Sequence, residues 1–127
     1  MPETFKQDPP EASGPDFSEI DCQSKAVEMF RKGDLEKLYL MPLEFGGQDI
    51  PQNVLFVPVG LAAVKSRIDI NVIGPLVESG KVSQYTAVPE YQGKSFIPIA
   101  IKVMASNPGQ FSATINLWGE ALKREAT

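Results

Sequence analysis

Residues 95–118 read Ser-Phe-Ile-Pro-Ile-Ala-Ile-Lys-Val-Met-Ala-Ser-Asn-Pro-Gly-Gln-Phe-Ser-Ala-Thr-Ile-Asn-Leu-Trp, and this stretch decides the fold. Ile97, Ile99, Ile101, Val103 and Ala105 share one face of an extended chain, while Phe96, Pro98, Ala100, Lys102, Met104 and Ser106 share the other. Successive side chains of a strand point to opposite faces, so strict alternation with branched residues on one side marks a half-buried strand. Asn107-Pro108-Gly109-Gln110 interrupts the pattern with turn chemistry: proline suits the second turn position and glycine supplies positive φ. A second alternation follows, with Phe111, Ala113, Ile115 and Leu117 inward and Ser112, Thr114, Asn116 and Trp118 outward. Two long antiparallel strands are therefore predicted, joined by a tight turn.

Working outward, residues 89–94 (Pro-Glu-Tyr-Gln-Gly-Lys) read as a polar connection, preceded by a short strand over 82–88. Leu61, Val64, Ile68, Val72 and Leu76 recur at helical spacing, with Lys65, Arg67 and Asp69 read as lying away from them. Gly74-Pro75 should kink or split that helix, and Gly80 stops its second part. Residues 54–57 form an apolar strand ended by Pro58, and residues 35–43 form another that Pro42 confines to an edge or bulge. Between those strands lies a loop of Glu44, Phe45, Gly46, Gly47, Gln48 and Asp49. Its paired glycines permit close backbone approach, to a ligand or to a neighbouring chain. Ser18-x-x-Asp21 resembles a capping box that opens a first helix, which Gly33 closes after Arg31 and Lys32. On that helix Cys22, Ala26, Met29 and Phe30 make the apolar face, so Cys22 reads as a small core residue rather than a reactive thiol. Residues 1–17 hold four prolines and several acids and read as a disordered acidic leader, solvated or in contact with a basic partner. Residues 18–127 then form a single α+β domain in the order α-β-β-α-β-β-β. The expected architecture is one mainly antiparallel sheet of about five strands, with two helices packed on one face.

Composition narrows the function. There is no histidine, which removes the imidazole general base, the Ser-His and Cys-His nucleophile pairs and most zinc and iron sites. A single cysteine excludes an internal disulfide and cannot replace the missing ligands. No cofactor and no metal are expected. The first 21 residues carry six acids and one base, the remaining 106 ten acids and eleven bases. The body is thus near neutral and carries no basic stripe for nucleic acid. No apolar run approaches the roughly 20 residues that span a membrane, and no signal sequence opens the chain. A cytoplasmic setting is expected.

These exclusions point to a non-enzymatic domain that binds another protein, or itself, through a sheet face or edge. Trp118, with Tyr85 or Phe96 depending on register, is expected among polar residues on the uncovered face; the competing reading makes Trp118 a cap on the core edge. A second possibility is a small-ligand site or carboxylate-dependent enzyme, in a cleft between the 44–49 and 89–95 loops. Its residues would be Glu44, Phe45, Gly46, Gly47 and Asp49 on one side and Glu90, Tyr91 and Lys94 on the other. A third is a structural subunit of a larger assembly, joined at exposed strand edges.

Residues 40–47 (Leu-Met-Pro-Leu-Glu-Phe-Gly-Gly) and 89–98 (Pro-Glu-Tyr-Gln-Gly-Lys-Ser-Phe-Ile-Pro) resemble segments of small uncharacterised bacterial proteins, some similar in size and charge to immunity proteins of toxin gene clusters. The resemblance implies an inhibitor-type role against a protein partner. It assigns no role to any single residue.

Overall fold

A computed structural model describes residues 16–123. The leader, apart from its last two residues, and the final four residues lie outside the described residues. The elements are α1 (Gln23–Lys32), β1 (Leu35–Tyr39), β2 (Val54–Pro58), α2 (Leu61–Ile68), a π-helical turn (Asp69–Ile73), α3 (Gly74–Glu78), β3 (Gln84–Glu90), β4 (Ala100–Ser106) and β5 (Gln110–Asn116). A 3-10 turn, Gly119–Lys123, follows β5.

The α+β class holds, but the single five-stranded sheet does not. β1 and β2 pair only with each other, and β3, β4 and β5 form a separate antiparallel meander. Between the hairpins in the chain, α2 packs on β1 and β2, and the two sheets share a core without sharing a ladder.

The meander follows the alternation in the sequence. Ile101 pairs with Ile115, Val103 with Ala113 and Ala105 with Phe111. Ile97, Ile99, Ile101, Val103 and Ala105 are all buried, as are Ile115 and Leu117. Leu35, Leu38 and Val57 from the first hairpin, with Ala26, Ile73 and Val82, complete the same core. The opposite face carries Gln84, Thr86, Val88, Lys102, Ser112 and Thr114, all exposed. Residues 95–99, expected as strand, instead form an irregular lead-in in which Ser95 Oγ accepts from Ile97 N–H.

The turn after β4 uses other chemistry than expected. Asn107, not Gly109, takes the positive φ of 75°, and the Asn107–Pro108 peptide is cis. Gly109 is required for space: a Cβ there would sit 2.8 Å from the Lys81 carbonyl oxygen.

The first helix begins later than its capping box suggested. Ser18 turns back on Asp16 through its N–H and hydroxyl, and the helix opens after Cys22. Cys22 is half-buried rather than core. The other end is as expected: Gly33 adopts φ 88°, and the N–H groups of Gly33 and Asp34 reach the Phe30 and Met29 carbonyls. The leader boundary also moves. Phe17 is 7% exposed and meets Trp118 edge to face at 5.7 Å. Ser95 Oγ donates to the Phe17 carbonyl and Phe96 N–H to that of Ile20, so residues 17–20 are stitched to the lead-in of β4.

Candidate functional site

Two concavities border the first hairpin, and three of the sequence-predicted residues line them: Glu44 the first, Asp49 and Tyr91 the second. The first is a pocket of about 220 Å³ lined by residues that include Leu38, Pro42, Glu44, Ser66, Lys65 and Asp69. Lys65 and Asp69 belong to a buried charged cluster. Lys65 and Asp69 are each 2% exposed. Lys65 Nζ donates to Asp69 Oδ2 at 2.6 Å, to the Tyr85 hydroxyl at 2.7 Å and to the Leu40 carbonyl at 3.1 Å. The Tyr85 hydroxyl in turn donates to Asp69 Oδ1 at 2.7 Å. Burial lowers the Lys65 ammonium below its ordinary value, against the opposing pull of Asp69. Burial, then the Asp69 carboxylate, pushes the Tyr85 hydroxyl far above its ordinary 10.0.

An ammonium has three protons, and each of these has an acceptor. Asp69 has a donor on each oxygen. The cluster therefore offers no spare proton to a molecule in the pocket, and its geometry is that of a tie. It joins α2, the end of the first hairpin and β3.

The second concavity is a cleft of about 440 Å³. Ile50, Phe56, Tyr91 and Phe96 give it apolar walls, with Lys37 and Asp49 at the rim. Lys37 and Asp49 pair at 3.4 Å, and Lys37 also stands 5.9 Å above the Phe30 ring. Three successive β2 residues, Val54, Leu55 and Phe56, border the cleft. Successive strand residues point to opposite faces, so a cleft bordered by all three, and by Lys37 on the paired strand, is not confined to one face of β2. The outer edge of β2 has no strand beside it among the described residues.

The 44–49 and 89–95 loops do meet, through Asp49 and Tyr91 in this cleft, but not with every residue expected there. Glu44 lines the first pocket instead, so the two loop carboxylates line different concavities. Phe45 packs edge-on against Tyr85, with ring centroids 5.4 Å apart. Gly46, at φ 97°, closes a 3-10 turn. Gly47 is present for space, since a Cβ would fall 1.9 Å from the Met41 carbonyl oxygen. The close approach is thus to a neighbouring segment, not to a ligand. Glu90 belongs to β3, where its carbonyl accepts from Ile99 N–H, and Lys94 is exposed outside the cleft. Of the two readings of Trp118, the core one holds and the exposed one does not: it is 1% exposed, and its Nε1–H donates to the Ile97 carbonyl at 3.1 Å. Tyr85 also faces inward, leaving the uncovered face of the meander without the aromatics expected of it.

Sequence reading sets Lys65 and Asp69 away from the apolar positions of the helix and does not single out Ile50 and Phe56. No group of three or more potential metal ligands occurs among the described residues. No helix among them is long and apolar enough to cross a membrane. Comparison with known proteins returned no match, whether to a family model, a curated sequence or a solved structure.

Proposed function

We propose that this is a non-enzymatic, cytoplasmic protein-recognition domain that receives an extended segment of a partner protein along the outer edge of β2. The observation that carries the reading is the unpaired edge of β2, whose Val54, Leu55 and Phe56 border an apolar cleft. An extended segment supplies what such an edge lacks, a second ladder of main-chain hydrogen bonds, while alternate side chains enter the cleft. Tyr91, Phe96 and Ile50 are 46%, 43% and 41% exposed, and they supply the contact surface. A small-molecule site of this volume is the rival reading. The cleft favours it less, because its charged rim groups, Lys37 and Asp49, already satisfy each other and leave few polar groups to orient a compact ligand. An immunity- or inhibitor-type role is one form the proposal takes, with the partner's segment held along β2.

The test is selection from a random-peptide display library, followed by calorimetry on the selected peptides. Binders with apolar residues at alternate positions are expected, and Phe96→Asp should weaken them by at least about tenfold, the mark of an energetically dominant contact. A library that yields no binder, or binders indifferent to Phe96→Asp, ends the proposal.

A further inference from the structure

The meander ends in two edges that differ in one respect. β3 carries Pro89, which has no N–H to donate, and Glu90, a charge at the edge. Both are standard protections against edge-to-edge pairing. β5 reads Gln-Phe-Ser-Ala-Thr-Ile-Asn and has neither a charge nor a proline over its seven residues. Its only strand neighbour among the described residues is β4. Of the other edges, β1 bears Glu36 and Lys37 within the strand, and β2 borders the cleft described above.

We infer that β5 pairs antiparallel with β5 of a second copy of this chain, making a closed dimer with a continuous six-stranded sheet. The register follows from symmetry. A two-fold axis at Ala113 sets Phe111 against Ile115 of the other copy, Ser112 against Thr114, and Gln110 against Asn116. Every pair in that register is compatible. On the core side Phe111 and Ala113 are only half-buried although their face is the dry one, and a second Ile115 and Ala113 cover them. On the solvent side hydroxyl faces hydroxyl and amide faces amide, with no like charges opposed. An interface that uses the same patch on both copies closes on itself. Further growth would need β3, and Pro89 and Glu90 guard that edge. The inference does not depend on the β2 cleft, which lies on the other sheet.

Sedimentation equilibrium on the full chain tests it. The expected mass is twice the 13.9 kDa of one chain at high protein concentration. Ser112→Asp with Thr114→Asp places like charges opposite each other twice across the axis, and should weaken association by about a hundredfold. Ser112→Lys with Thr114→Asp places opposite charges there and should retain the dimer. Circular dichroism and thermal melting of both variants, matched to the unsubstituted chain, show that each is folded. A chain that stays at one mass up to about 1 mM overturns the proposal. So does a dimer that survives the double aspartate substitution. Phe96→Asp should leave the mass unchanged, so failure at the cleft and failure at β5 are separable.

Discussion

Lys65 shows how a single residue can be misread when its type is allowed to outweigh its position. A lysine four residues before an aspartate on a helix ordinarily marks a solvated face. The wheel says otherwise. On a regular helix Lys65 lies about 40° from Leu61, between the directions of Leu61 and Leu76 and so within the apolar stripe. The position was legible, but the partner was not, because Tyr85 arrives from a strand twenty residues away. Removing one member of such a set leaves a buried charge without its counterion. Asp69→Ala should therefore cost about 3–5 kcal/mol in urea unfolding. Replacing all three groups with apolar residues, as Lys65→Met, Asp69→Leu and Tyr85→Phe, should recover most of that loss. If Asp69→Ala unfolds at the same urea concentration as the unsubstituted chain, the cluster is not the tie described above.

At the level of elements, the boundaries set by local chemistry were readable and those set by distant contacts were not. Gly33 and Gly80 stop their helices where the sequence says they should. At Gly74-Pro75, where a kink or split is expected, the helical backbone continues, and the irregularity is a π-helical turn over Asp69–Ile73, closed by Gly74 N–H on the Asp69 carbonyl. An i→i+5 turn inserts an extra residue and rotates the helix register. Ile73 is consequently buried while Val72, expected inward, is 41% exposed. The division into two sheets could not be read from alternation, which reports the faces of a strand but not its neighbours. The loop joining β1 to β2 shows the same limit. Its glycines were visible, yet the need at Gly47 is set by the Met41 carbonyl and by Asn53, whose side chain bonds Met41 N–H, Met41 O and Gln48 O. Gly47→Ala should destabilise the chain by about 1–3 kcal/mol, as overpacking does. Because Asp49 and Ile50 follow in the same loop, the selected peptides should lose affinity too. An alanine variant that melts unchanged would show that the loop yields without strain.

Across the whole molecule, a polar junction ties the two sheets, since Lys65 and Asp69 belong to the helical layer over the first hairpin and Tyr85 to the meander. That junction gives the fold a characteristic response to alkali. Burial and the Asp69 carboxylate hold the folded Tyr85 hydroxyl above its ordinary 10.0. Below that value the tyrosine is protonated whether the chain is folded or not, and the contribution is fully present. Above it the unfolded chain releases a proton that the folded chain keeps, so stability falls as pH rises. Lys65 acts in the opposite sense. Its folded value lies below the ordinary 10.5, so between the two the unfolded chain binds the extra proton and stability rises with pH. Above 10.5 that compensation is exhausted and the Tyr85 contribution remains, joined in the same sense by Tyr91, whose hydroxyl burial also raises. The chain should therefore hold its stability up to about pH 10 and lose it steeply beyond 10.5. Absorbance at the tyrosinate band, followed with circular dichroism, checks this: Tyr85 should ionise only as the fold is lost, and Tyr85→Phe should remove that step. If all three ionise while the circular dichroism is still native, the junction admits water and the sheets are not held together there.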